Sequence, residues 1–342
     1  MNRFIITPLS RARQPILLPS FLSRTHSTTT VAADQKPKPT PIQFDEHPDQ
    51  PKTHFGYRDV PEQAKQSLVG QVFSSVASSY DVMNDAMSLG IHRMWKDHYV
   101  KSLDPHGDIH CLDVAGGTAD IGLRILDHAR LVHSDRQTKV TILDINPDML
   151  AEGQKKVNRS MYYGGDQIEF KLGNAQDLRA SSIEDNSVDL YTIAFGIRNC
   201  THIDAVLKEA YRVLKKGGRF SCLEFGKVNN PLLAGIYEMY SFNVIPNLGH
   251  ILASDRDSYQ CKSLPPSFHP ASPGQTLTPR CLMGVDLVES IRRFPAQPKF
   301  AEMIQEAGFV LPGAHKHLSK DRNQGWEDLT FGVASIHNGI KL

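Results

Sequence analysis

From Ile109 to Glu224 the sequence alternates short apolar runs, many of them β-branched, with stretches of helical periodicity. No other feature restricts the fold as strongly. Alternating strand and helix signals imply an α/β architecture, a mostly parallel sheet with helices on both faces. The spacing predicts strands at Ile109–Val114, Val140–Asp144, Ile168–Leu172, Val188–Ala194 and Arg219–Glu224. Helices are expected near Ala119–Ala129, Pro147–Asn158, Ile203–Lys215 and Pro231–Val244. The third of these is the sharpest. Thr201 followed by Asp204 reads as a capping box, and Val206, Leu207, Ala210, Val213 and Leu214 recur at helical spacing. Gly217–Gly218 reads as its C-terminal stop.

The first three strands end in residues that suit one ligand. Asp113 is followed by Val-Ala-Gly116-Gly117-Thr118 and then a helix. Glycines let a ligand approach the backbone, and a helix N-terminus offers unpaired N–H donors. The dinucleotide pattern G-x-G-x-x-G is not met. An acid beside a shortened glycine turn suits a ligand that is positively charged and lacks phosphates, and S-adenosylmethionine is such a ligand. Such turns also occur for packing alone. The second strand ends in Asp144, an acceptor for a ribose diol or else a turn cap, and Asn146-Pro147-Asp148 opens a helix with a cap residue and Pro at N1. After the third strand, Gly173-Asn174-Ala175-Gln176 puts small and amide side chains where an adenine edge is read. Three such signals, each at a strand's carboxyl end, reinforce one another.

Outside this region the chain changes character. Residues 1–33 carry Arg3, Arg11, Arg13 and Arg24 and no acid, the composition of a mitochondrial presequence. Residues 34–61 hold six prolines and read as a stiff linker, so ordered structure is expected from about Glu62. Residues 261–285 hold five prolines and read as a disordered insert, of the kind a retained intron gives. The balance of 38 basic against 37 acidic residues, net +1, gives no sign of nucleic-acid binding. Five cysteines without C-x-x-C argue against a disulfide framework, and no H-E-x-x-H or Cys/His motif points to a metal. No apolar run is long enough to span a bilayer. The punctuated apolar stretch from Pro231 to Leu252 reads either as core or as the wall of a lipid-tail channel.

Two longer segments are more specific than the glycine turn. They are Tyr80-Asp81-Val-Met-Asn84-Asp-Ala-Met-Ser88-Leu-Gly-Ile-His92-Arg-Met-Trp95 and Arg212-Val-Leu-Lys-Lys-Gly217-Gly218-Arg-Phe-Ser-Cys-Leu-Glu224-Phe-Gly226. On these, about Gly70 to Gln260 and Leu287 to Leu342 resemble the ubiquinone/menaquinone C-methyltransferases. The resemblance implies a class I S-adenosylmethionine-dependent methyltransferase with a Rossmann-like, mostly parallel seven-stranded sheet over 62–342. It implies cofactor contacts at Thr118, Asp144, Asn174 and Ala175, beside Asp113, Gly116 and Gly117 of the glycine turn. The substrate it implies is a polyprenylated methoxy-benzoquinol ring. Its expected setting is the matrix side of the mitochondrial inner membrane, as a peripheral homodimer among other coenzyme Q biosynthesis proteins. Lys216, Gly226 and Ala194 depart from the family's usual Pro, Ser and, in bacterial members, Ser.

Methylation at an aromatic carbon requires a positioned, electron-rich ring, so a ring hydroxyl must ionise. Arg198, in Phe195-Gly-Ile-Arg198-Asn199 after the fourth strand, is the candidate that stabilises the phenolate or orients a water, because a guanidinium stays charged. The bland reading pairs it with a structural carboxylate. Tyr80 and Asn199 are candidate substrate contacts, and His92 is a weaker candidate base. The competing functions are an inactive scaffold of a quinone-synthesis assembly and an O- or N-methyltransferase sharing the cofactor half.

Overall fold

A computed structural model of the chain describes residues 52–55, 58–228, 290–312 and 325–342, with isolated positions between 229 and 289. The segment 1–33, the linker before residue 52, the insert 261–285 and most of the helix expected at Pro231–Val244 lie outside the described residues.

The described chain starts inside the stretch read as a linker. β1 (Lys52–Phe55) and β2 (Arg58–Pro61) form an antiparallel hairpin, with Lys52 opposite Pro61 and Phe55 opposite Arg58. Proline density hid it, yet Pro61 closes the second strand, where a missing N–H disturbs the ladder least. Glu62, the expected start, opens α1 (Glu62–Val76); α2 (Tyr80–Ser88) and α3 (Ile91–Leu103) follow. Leu89 and Gly90 between them both take left-handed backbone, which turns the chain sharply.

The five predicted strands are β3 (His110–Val114), β4 (Lys139–Asp144), β5 (Ile168–Leu172), β6 (Val188–Ala194) and β7 (Leu214–Phe225). The helices among them are α4 (Asp120–His133), α5 (Pro147–Val157) and α6 (Ile203–Val213). After the insert come α7 (Gln297–Glu306), β8 (Trp326–Leu329) and β9 (Ala334–Ile340). The seven strands β3–β9 form one sheet in the order β5-β4-β3-β6-β7-β9-β8. The pairs from β5 through β7 are parallel, whereas β9 runs antiparallel to both its neighbours. The order reverses between β3 and β6, and ligand crevices in open α/β sheets lie at that switch, outside the strands' carboxyl ends.

Side chains alternate across the pleat and build two cores. On one face Leu112, Val114, Tyr191 and Phe220 meet Val206 and Leu207 of α6 and Phe300 of α7. On the other, Cys111, Ile142 and Leu223 meet Tyr99 of α3, Ile125 of α4 and Leu150 of α5. Two boundary expectations fail. The cap of α6 is His202, with no side-chain cap hydrogen bond, so Thr201 and Asp204 form no capping box; Asp204 pairs with Lys208 instead. Nor do Gly217 and Gly218 stop the helix: it ends at Val213, because Leu214 already pairs with Val188. Both glycines lie inside β7.

Lys341 holds the end of the chain. Its buried ammonium donates to the carbonyls of Tyr211, Arg212 and Leu214, at the exposed-dipole end of α6, and to Asn186 Oδ1. Lys341→Met is expected to lower folding stability by about 2–3 kcal/mol, since several buried acceptors lose a charged donor. Urea denaturation checks this, and an unshifted midpoint would refute it.

Candidate active site

The turn after β3 is tightly wound. Ala115, Gly117 and Ala119 have φ of 53°, 39° and 65°. Left-handed alanines are strained, and such strain gathers where backbone is held open for a ligand. Gly116 is required for space: a Cβ there would lie 2.8 Å from Asp113 Oδ2 and 2.9 Å from Ile142 Cγ2. Asp113 is buried, and its Oδ1 accepts from Thr192 Oγ1 at 2.8 Å. Its Oδ2 has no hydrogen-bond partner among the described residues. Burial pushes the Asp113 carboxyl up to about 7, against the opposing pull of Thr192 and the Gly122 N–H. A buried acceptor without a donor is costly and marks a place for one.

Asp144 ends β4 within the same turn system. Its Oδ2 accepts from the Gly117 N–H and its Oδ1 from the Asn146 N–H, at 2.9 and 2.8 Å. Burial raises its carboxyl to about 6 despite these donors. Asp144 therefore caps the turn, as one of its two readings expects, and it also lines the cavity. Asn146 caps α5 as expected, accepting from Asp148 and Met149 N–H. Its Nδ2 also donates to Gly70 O and Ser74 Oγ, which ties α1 over the strand ends. Asn174 is less free than the sequence suggests. Its Oδ1 accepts from the Gln176 N–H at 2.9 Å, so it shapes its own turn beside Ala175.

One cavity of about 590 Å³ opens at these strand ends. Asp113, Gly116, Gly117, Thr118, Asp144, Asn174 and Ala175 line one part of it, and Tyr80, Arg198 and Asn199 another. All ten sequence-predicted site residues therefore meet in a single pocket, of a size usual for small-molecule sites. Helices α1 and α2 wall it through a small core of Val72, Val76 and Met87, and Thr118 Oγ1 reaches Asp81 at 3.4 Å.

Arg198 sits in a 3₁₀ turn, Ile197–Asn199, where it pairs with a buried carboxylate while lining the cavity. Its Nη1 pairs with Glu224 Oε1 at 2.9 Å and also donates to Phe195 O. Both side chains of the pair are buried, yet Nε finds no acceptor among the described residues. Burial pushes Glu224 up and Arg198 pulls it back. The guanidinium lies 5.2 Å from the centre of the Phe225 ring. Trp95, Phe195 and Phe225 form an aromatic wall, with ring centres 4.9–6.3 Å apart. Trp95 is fixed by its Nε1–H, which donates to Thr330 Oγ1.

Sequence reasoning missed three parts of this site: the aromatic wall, Glu224 as the partner of Arg198, and the Lys96–Asp120 pair. An acid near the end of a buried strand needs a cation, and that was the available signal for Glu224. Lys96 donates to Asp120 at 2.7 Å; burial would raise Asp120, but Lys96 and Arg124 hold its carboxyl down to about 2. His92 lines the cavity, and burial lowers its pKa. Ser88 Oγ donates to Asn84 O and is hydrogen-bonded to His92 Nδ1, while His92 Nε2 lies 3.7 Å from Asp85 Oδ1.

A family model described as the ubiE/COQ5 methyltransferase family matches residues 61–271 and 285–341. The chain is 46% identical, over 343 residues, to a Schizosaccharomyces pombe protein named mitochondrial 2-methoxy-6-polyprenyl-1,4-benzoquinol methylase, covering 99% of this chain and 97% of the relative. A rice (Oryza sativa subsp. japonica) protein of the same name is 46% identical over 300 residues, covering 85% and 88%. The Homo sapiens protein of that name is 42% identical over 319 residues, covering 85% of each chain.

Proposed function

From the premise that the chain belongs to the ubiE/COQ5 methyltransferase family, we propose that it methylates a ring carbon of a 2-methoxy-6-polyprenyl-1,4-benzoquinol in coenzyme Q synthesis. It is a methyltransferase and its methyl donor is S-adenosylmethionine. The observation that carries the substrate reading is that strand-end acids and an aromatic wall bearing Arg198 share one cavity.

The residues present fit the donor. Asp113 Oδ2 is a buried acceptor suited to an ammonium, Asp144 to a ribose diol, and the Gly116–Gly117 turn leaves room that a Cβ would fill. When bound, the donor supplies an electrophilic methyl group on a cationic sulfur. The protein's own task is to hold the ring and ionise it. Trp95, Phe195 and Phe225 position a flat ring, and Tyr80 and Asn199 stand ready to contact its substituents. Arg198, through its spare Nε–H, stabilises the oxygen that gains charge as the ring hydroxyl loses its proton. His92, which lines the cavity, is the candidate acceptor for that proton or for the one leaving the ring carbon. With the donor bound, the ring carbon–methyl bond would form as the sulfur–methyl bond breaks, the neutral thioether would leave, and loss of the C–H proton would restore aromaticity.

The same reading covers the setting. Val82 on α2, Leu89 in the turn after it, and Ile91 and Met94 on α3 are exposed, as is Phe331, and Leu89, Ile91 and Phe331 line the cavity. That apolar rim supports a peripheral contact through which a polyprenyl tail enters from the matrix side of the inner membrane. No helix among the described residues is long and apolar enough to cross a membrane. Residues 1–33 serve as the mitochondrial address, 34–61 as a linker whose end folds as a hairpin, and 62–342 as the methyltransferase domain. The family match breaks only between residues 271 and 285, which supports an insert over the later part of 261–285. Assembly as a homodimer with other coenzyme Q biosynthesis proteins completes the proposal. The scaffold alternative requires a ruined cofactor site, whereas Asp113, Thr118, Asp144 and Asn174 surround one cavity.

Incubating the protein with S-adenosylmethionine and a short-tailed methoxy-benzoquinol is expected to yield the C-methylated ring, identified by mass spectrometry and ring-proton NMR. Donor binding by calorimetry without turnover of this quinol, under reducing conditions, would overturn the substrate assignment.

A further inference from the structure

Far from the cavity, at the amino edge of the sheet, three side chains converge that no sequence motif joins. Asp104 caps the C-terminus of α3 in left-handed backbone (φ 48°), its N–H bonded to Val100 O at 3.1 Å. His128 and His133 come from the last turns of α4. His128 Nε2 lies 2.8 Å and His133 Nε2 2.6 Å from the same oxygen, Asp104 Oδ1. The three ligand-type atoms lie within 4.8 Å of one another. His106 braces the group: its ring stacks on His133 at 4.0 Å between centres, and its Nδ1 bonds Asp104 O at 2.6 Å.

We propose that Asp104, His128 and His133 form a binding site for one divalent cation of the zinc class. Two imidazole nitrogens and one carboxylate oxygen are the ligand set of a borderline cation, whereas magnesium and calcium prefer all-oxygen sites. Tetrahedral zinc, with bonds of about 2.0–2.1 Å, needs its ligand atoms about 3.3 Å apart. The three atoms are within side-chain rotation of that arrangement, and each ring need only shift its proton from Nε2 to Nδ1. The site is open enough to admit an ion: the side-chain exposures are 50% for Asp104, 13% for His128 and 28% for His133.

The position determines the role. The cluster sits at the end of α3 opposite His92, Trp95 and Lys96, which line the cavity, so a bound ion takes no part in methyl transfer. It joins the C-terminal ends of α3 and α4 and so steadies the helix that carries the cavity wall.

The test is calorimetry and thermal melting of the whole chain with zinc chloride, with magnesium chloride as the control. The wild type is expected to bind zinc with a melting point raised by the ion, and to ignore magnesium. His133→Gln, and separately His128→Gln, are expected to weaken this binding at least tenfold and to remove the thermal shift, with S-adenosylmethionine binding unchanged. Equal zinc affinity and equal thermal shift in wild type and both variants would overturn the site and assign the ion to other histidines. Absence of any zinc binding by the wild type would overturn it outright.

Discussion

Turnover is expected to fall about 10²–10³-fold when Arg198 is replaced by alanine, the usual loss when one aligned donor to a developing oxyanion is removed. The single variant confounds two effects. Arg198 also neutralises Glu224, whose side chain is fully buried, and stranding that carboxylate costs about 3–5 kcal/mol of stability. The informative protein is therefore Arg198→Ala/Glu224→Gln, which removes the donor without leaving an unpaired charge. It is expected to fold, to bind S-adenosylmethionine like the wild type, and to keep the low turnover of the single variant. Single-turnover rates with calorimetry on the same samples check this. Near-normal turnover in the double variant would end the phenolate role and leave Arg198 as the structural partner of Glu224.

The affinity for S-adenosylmethionine is expected to drop about tenfold between pH 8 and pH 6. Asp113, raised by burial to about 7, must be ionised to accept a cationic donor, and below that value each pH unit costs one factor of ten. Asp144, raised to about 6, adds to the loss at the acid end. The stability of the free protein moves the opposite way. Both carboxyls hold their protons more tightly folded than unfolded, so their contribution favours folding below about pH 4 and is lost as pH rises through 6 and 7. The thermal shift caused by the donor should therefore grow with pH. Asp113→Asn is expected to bind weakly and to flatten most of the profile. A wild-type affinity constant from pH 6 to pH 8 would exclude Asp113 as the ammonium acceptor.

Much of this site was legible before any coordinates, and the reason is local. The period of apolar residues, an acid at a strand's end and Asn146 before Pro147 act within a few residues of themselves, so β5 and β6 match their predicted bounds and Asn146 caps α5. The misplaced end of α6 shows the limit. Gly217 and Gly218 look like a helix stop, but Leu214 gains a strand partner in Val188 and the helix yields first.

The sequence alone thus determined the alternating α/β order, the strand-end acids Asp113 and Asp144, and the glycine turn between them, because each depends on short-range preference. Only the tertiary structure decided which groups face one another. Arg198 meets Glu224 because β6 and β7 are neighbours, and Trp95 reaches Thr330 across 235 residues. Asp104 meets two histidines because α3 and α4 end side by side. Hydrogen-bond and ion-pair partners are chosen by sheet order and helix packing, and no local signal in the chain encodes the distance between them.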